Sequence, residues 1–320
     1  MADLTKILKK KNDRLDTVPT SLNDAVVSSQ NPIWNELLSL IQSLDVVGGD
    51  ISVTEANLLR VQEIISSLER TVLLEQTGYT SSIRSYAAEY DTQITVNNGY
   101  FKEFFAFETS KLGQGLVNNK KREAVELLLE IEPTYLQPIR NTLNESIGTG
   151  QKLSDLIKQL QTLTIGDDEV NGKLAGHAKQ ISSDLFSIAD RSYTNAVAED
   201  LGIQWFFYSG GVIESTKNAR GKVTSSGTRS FCKARNGHYY HKKEIEKWAT
   251  GSGSPSPSGT WDGKIAATNK SNIFIYAGGW NCKHSIMGTG ITGVPRSDII
   301  RNINNGNFKP NKTERELLAI

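Results

Sequence analysis

The chain has 320 residues, an ordinary apolar content of 38% and two cysteines, which allows two domains with cores of their own and excludes the dense disulfide framework of a small secreted fold. No run approaches the roughly 20 apolar residues that cross a bilayer, and Met1-Ala2-Asp3-Leu4-Thr5-Lys6 lacks the apolar core of a secretory signal, so the expectation is a soluble protein made in a cytoplasm, with no membrane partner. The net charge of +1 hides an asymmetry: residues 201–320 carry 17 Lys and Arg against 7 Asp and Glu, a net +10, whereas residues 1–200 carry 19 against 28, a net −9.

Residues 1–31 run from Lys9-Lys10-Lys11 through Thr17-Val18-Pro19-Thr20-Ser21 to Ser28-Ser29-Gln30-Asn31 with little apolar periodicity, and read as an extended or partner-bound arm. From Pro32 the spacing of Ile33, Trp34, Leu37, Leu38, Leu40 and Ile41 is helical. Ser52-Val53-Thr54-Glu55 matches a capping box opening the next helix. Further helices are predicted over roughly 70–115, 120–132, 134–146 and 151–163, with Pro133 and Gly148-Thr149-Gly150 as breaks. A longer helix covers 173–200, with Leu174, Ala178, Ile181, Leu185, Ile188, Ala189, Ala196 and Val197 as its buried stripe.

After Gly202 the pattern changes. Ile203–Tyr208 and Asn272–Tyr276 read as strands, with a short helix over His241–Ala249 between them. The Gly, Ser and Pro residues of 250–259 read as a flexible surface loop. The predicted fold is α+β: a mainly helical N-terminal region comprising the arm (1–31) and an acidic helical domain (32–200), followed by a small, loop-rich, basic α+β domain (201–320).

The two cysteines lie in Thr228-Arg229-Ser230-Phe231-Cys232 and Gly278-Gly279-Trp280-Asn281-Cys282-Lys283-His284. Cys232, His238, Cys282 and His284 are donors that zinc accepts, and a metal would staple a loop-rich domain. Their spacing is not that of a Cys-x2-Cys knuckle, so a Cys232–Cys282 contact or disulfide and two buried free thiols stand beside the metal reading. No other cofactor is expected. Gly278 and Gly279 fit a tight turn or close backbone approach, and Trp280 accompanies them as a structural residue. Arg191 and Asn195, four residues apart, share a helix face that reads as its wet side or as a hydrogen bond to the next domain.

Nine basic residues fall between Lys217 and Lys247. Arg229, Lys233, Arg235, Lys242 and Lys243, with Lys283 further on, are candidates for contact with DNA phosphates or an acidic protein surface, and Tyr239-Tyr240 interleave aromatics with them. No Walker loop, HExxH or nucleophile elbow is present. Glu244, Glu246 and Asp262 are the only carboxylates between Glu214 and Asp298, a poor set for a metal nuclease. The chain is therefore not expected to be an enzyme.

The ordered set Arg191…Asn195, Gly202-Ile203-Gln204-Trp205, Thr228-Arg229-Ser230-Phe231-Cys232, Asn236-Gly237-His238 and Gly279-Trp280-Asn281-Cys282-Lys283-His284 resembles the phage Mu F-like minor head (head morphogenesis) proteins over about 185–290, with Lys283 where Arg is more usual. The resemblance implies a structural virion protein in several copies per particle, bound to the portal protein and other capsid proteins at the portal vertex inside the head. It would act in head assembly and in packaging or ejection of double-stranded DNA. Two other readings compete: a genome-associated enzyme or toxin-like effector, such as a nuclease or transferase, and a zinc-stapled interaction module unrelated to phage.

Overall fold

A computed structural model describes residues 4–69, 71–167, 171–217, 223–225 and 227–319. Helix α1 (Leu4–Ile41) is followed by the hairpin of β1 (Val46–Val47) and β2 (Asp50–Ile51). Then come α2 (Glu55–Glu69), α3 (Thr71–Gln76), α4 (Tyr79–Phe105), α5 (Lys111–Leu129), α6 (Gln137–Thr149), α7 (Leu153–Thr164) and α8 (Lys173–Asp200). Short elements complete the chain: β3 (Trp205–Ser209), β4 (Thr216–Lys217), β5 (Val223–Ser225), α9 (Ser230–Lys233), β6 (His238–His241), α10 (Lys242–Trp248), α11 (Ile273–Tyr276), β7 (Ser285–Thr289), α12 (Arg296–Asn304) and α13 (Lys312–Leu318). The architecture is α+β and mainly helical, as expected.

Three local expectations are corrected. The described part of the 1–31 arm is not extended but the first three quarters of α1, with Pro19 and Pro32 inside the helix. Leu8, Leu15, Val18, Leu22 and Val26 are buried at three-, four- and seven-residue intervals, and burial of that stripe overrides the cost of the prolines. The predicted strand at Asn272–Tyr276 is the helical turn α11; a four-residue apolar run does not by itself distinguish strand from helix. The capping box at Ser52 is not what opens α2. Thr54 caps it, its Oγ1 accepting the Asn57 N–H at 3.2 Å.

The chain divides into two compact units that interleave in sequence. One comprises Met1–Thr17, Glu89–Lys121 and Ser183–Ile320; the other comprises Val18–Ala88 and Arg122–Ser182. The boundary expected after residue 200 is therefore displaced, because the C-terminal part of α8 and a segment of α4 and α5 cluster with residues 201–320. In the second, mainly helical unit, buried tyrosines donate to helix carbonyls: Tyr79 Oη to Leu128 O at 2.5 Å and Tyr86 Oη to Ser182 O at 2.8 Å.

The mixed unit is built around an antiparallel sheet in the order β6-β3-β7, with Trp205 opposite His241 and Thr289, and Tyr208 opposite His238 and Ile286. Strand β3 is central and almost wholly buried, which accounts for its aromatic composition. Both edges are covered by side chains. On β6, Asp298 accepts the Tyr239 N–H at 3.0 Å, Asn302 accepts the His241 N–H at 3.3 Å, and Arg301 donates to Tyr239 O at 2.5 Å. On β7, Tyr100 Oη donates to Gly288 O at 2.7 Å. An edge whose polar groups are taken internally does not recruit another strand.

Two outcomes follow. Thr54→Ala should lower stability by about 1 kcal/mol whereas Ser52→Ala should change it far less, measured by chemical denaturation of the two variants side by side. His241 is buried, and its neutral Nδ1 accepts the Lys243 N–H at 3.3 Å at the start of α10. Burial, reinforced by the Lys243 charge, depresses its pKa from 6.5 to about 4. The unfolded chain then binds this proton first, so stability is fully present above pH 6.5 and is lost as pH falls toward about 4. The difference in denaturation midpoint between wild type and His241→Gln should change across that window and be flat above it.

Candidate functional site

The residues singled out in the sequence meet around the C-terminal part of α8. From Ser183 to Thr194 every residue of this helix is buried, so its polar positions are not a wet face, and the expectation of one at Arg191 is corrected. Arg191 is 1% exposed. Its Nε donates to Ile275 O at 2.5 Å, and its Nη1 donates to Cys282 O at 2.7 Å and His284 O at 3.0 Å. A planar fork of fixed donors suits this task, since three carbonyls from two separate segments converge on one rigid group. Asn195, half-buried one turn later, has a buried Oδ1 with no partner among the described residues.

The adjacent Asp190 is held from the other side. Lys11 forms a fully buried ion pair with its Oδ2, while Gln93 and Asn97 donate to its Oδ1 at 2.8 and 2.9 Å. Burial pushes the carboxyl up, but Lys11 and the two amides together bring it below the ordinary range. Further along α8, Asp184 Oδ1 accepts the Asn281 N–H, which fixes the strand-leading segment ahead of β7. Burial raises the Asp184 pKa against that bond and the charge of Arg191.

The segment 277–281 turns sharply, with positive φ at Ala277, Gly279 and Asn281. Gly279 has φ +91° and packs against the Gly263 carbonyl, where a Cβ has no room; a Cβ at Gly278 would run into the Sγ atoms of both Cys232 and Cys282. Both glycines are therefore required by the turn and by close approach. Trp280 is 45% exposed and its N–H bonds Gly263 O at 2.8 Å.

This turn brings the cysteines together. Cys232 on α9 and Cys282 before β7 are both buried and free, with Sγ atoms 3.8 Å apart. A ring nitrogen of His284 lies within 4.8 Å of both sulfurs, and the His284 ring stacks on Tyr208 at a centroid separation of 5.4 Å. Tyr208 Oη donates to Cys232 Sγ at 3.2 Å and lies 3.9 Å from Cys282 Sγ. The thiol–thiol bond, with burial, pushes Cys232 up; the same bond, with His284 and Arg191 nearby, brings Cys282 down against burial. His238, the fourth predicted donor, is not in this group. It begins edge strand β6, its side chain is half exposed, and its Nδ1 is 3.6 Å from Asp298 Oδ1.

The basic candidates separate into three kinds. Arg235 is fully buried, its guanidinium 3.7 Å from the centre of the Phe231 ring and 4.5 Å from that of Trp248. It donates to the carbonyls of Phe231, Pro255 and Pro257 at 2.9, 2.5 and 2.9 Å. Burial lowers its pKa to about 10, so it stays charged at neutral pH. It cannot meet a phosphate, and that expectation is withdrawn. The same bonds correct the reading of loop 250–259, which is fastened by Arg235 and, at Ser254, by Trp248 Nε1 and Glu244. Arg229, Lys233, Lys242 and Lys283 are surface groups with carboxylate partners: Asp262 at 3.5 Å, Glu214 at 3.0 Å, Glu199 at 2.7 Å and Asp16, respectively. Lys243 is exposed, with no carboxylate partner among the described residues. Arg220 and Lys222 lie outside the described residues.

Lys11, Asp184, Asp190 and Tyr208 were not foreseen. For Lys11 a signal existed, because it falls on the Leu8–Leu15 stripe of α1. Tyr208 carries none beyond its place in an aromatic strand. Compared with known proteins, the chain matches no family model, no curated protein and no solved structure.

Replacing Arg191 removes three charge-assisted bonds at once. Arg191→Leu should destabilise the protein by more than about 3 kcal/mol, and Arg191→Lys should recover only a minor part, since a point cation cannot span the three carbonyls. Denaturant midpoints of both variants check this.

Proposed function

We propose that this chain is a structural virion protein, a minor head protein bound near the portal vertex inside a phage capsid, acting in head assembly and in DNA packaging or ejection. One observation carries the reading: the dispersed residues of the minor-head resemblance serve as internal fasteners of the mixed unit, some in its buried interior and some at its loops. Arg191 holds the carbonyls of Cys282 and His284. Thr228 Oγ1 accepts the Ile213 N–H at 2.8 Å, and Asn236 Oδ1 accepts the Gly210 N–H at 2.9 Å. Cys232 and Cys282 pack side by side against Gly278. A motif spent on fixing loops in place suits a part that presents a rigid surface to neighbouring protein subunits better than one that turns over substrate.

Its partners in this reading are the portal and other capsid subunits, with packaged double-stranded DNA touched through the backbone alone. Because most of the candidate cations are already paired, the DNA contribution is electrostatic and small. Affinity should fall with salt only along a shallow slope, set by the few phosphates contacted, and show no preference among sequences.

The test is quantitative mass spectrometry of purified phage particles carrying this chain, comparing mature virions with DNA-free heads. The expected result is its presence in both, far below the major capsid subunit in abundance. Absence from both kinds of particle would overturn the reading.

A further inference from the structure

We infer that Cys232, Cys282 and His284, with the hydroxyl of Tyr208 at the remaining corner, form a binding site for one zinc ion. Zinc bound by thiolates at about 2.3 Å in a tetrahedron sets its sulfurs about 3.8 Å apart, and the two Sγ atoms stand 3.8 Å apart in the structure. The third donor is close: a His284 nitrogen lies within 4.8 Å of both sulfurs, against the roughly 3.5 Å edge of a mixed sulfur–nitrogen tetrahedron. Tyr208 Oη, at 3.2 and 3.9 Å from the two sulfurs, is the other polar atom against the pair.

The surroundings favour a closed ion site. His284 is 4% exposed and its Nε2 has no hydrogen-bond partner among the described residues, so its ring is a buried polar group with donor capacity to spare. Zinc with two thiolates and a neutral imidazole is electrically neutral, so the ion and the deprotonated sulfurs compensate one another where either alone would be expensive to bury. The ligand backbone is already fixed, because Arg191 binds the carbonyls of both Cys282 and His284, the outer-sphere support that orients metal ligands. Gly278 leaves the space beside the sulfurs that any side chain would occupy. His238, facing Asp298, takes no part.

The inference does not depend on the virion reading. The full chain, purified under reducing conditions and stripped with a chelator, is given zinc ions alone and then analysed for bound metal. The expected result is one zinc per chain, retained by His238→Ala and lost by Cys232→Ala and by Cys282→Ala. Because a cysteine variant can fail to fold, the wild-type chain is also loaded with cobalt, whose absorption should show tetrahedral bands and a sulfur-to-metal charge-transfer band. Wild-type protein that takes up no stoichiometric zinc, a cobalt spectrum without the sulfur band, or zinc retained by the folded Cys232→Ala/Cys282→Ala double variant would each overturn the site.

Discussion

The mixed unit depends on one desolvated guanidinium. Arg191 reaches from the middle of α8 to three carbonyls, one at the end of α11 and two flanking the entry to β7. Those segments have few regular hydrogen bonds of their own, so their carbonyls would otherwise face an apolar interior unpaired. The interaction is reciprocal. Loops that cannot form strands or helices find a common donor, and a cation that could not be buried alone finds acceptors for its protons. The Sγ pair, the stacked His284 ring and the first residue of β7 are placed by that arrangement.

The same helix carries a second desolvated charge at the preceding position. Asp190 is buried against Lys11 and two amides, so successive residues of α8 bind oppositely charged or polar groups from different parts of the chain. Such pairs add little net stability over apolar packing, yet removing one member strands the other at a cost of about 3–5 kcal/mol. They act as register pins: sliding α1 by one residue would separate Lys11 from Asp190. A helix buried on all sides has no apolar stripe to define its rotation, and its charged residues supply that definition instead.

How much could be read in advance follows from which interactions are local. The spans of α2, α6, α7 and α8 came through because periodicity and breaks are short-range, whereas α5 (Lys111–Leu129) runs across the gap expected between 115 and 120 and the break falls before it; strand β3 came through because a central strand is apolar on both faces. The N-terminal arm did not, because Pro19 and polar runs at Lys9–Lys11 and Ser28–Asn31 obscured a stripe whose burial is decided by distant parts of the chain. Arg191 and Arg235 were legible as residues but not in their roles: a buried arginine differs from a surface one only through partners far away in sequence. The grouping of Cys232, Cys282 and His284 was anticipated from donor type, whereas His238 was wrongly attached to it by closeness along the chain.

The charge asymmetry between the two parts of the sequence has a structural meaning different from its linear one. Of the +10 carried by residues 201–320, Arg235 is spent inside on carbonyls and aromatic faces. Lys242 and Lys283 are matched by Glu199 and Asp16, carboxylates of the acidic part that fold into the same unit. Exposed pairs of this kind contribute little to stability, but each neutralises a cation that a phosphate would otherwise meet. The field around the mixed unit is therefore weaker than a count over 201–320 implies, and binding to any anionic partner rests on the few cations, such as Lys243, that stand apart from these pairs. In the role proposed above, such a distribution would leave the chain positioned by protein contacts, with DNA touched only weakly.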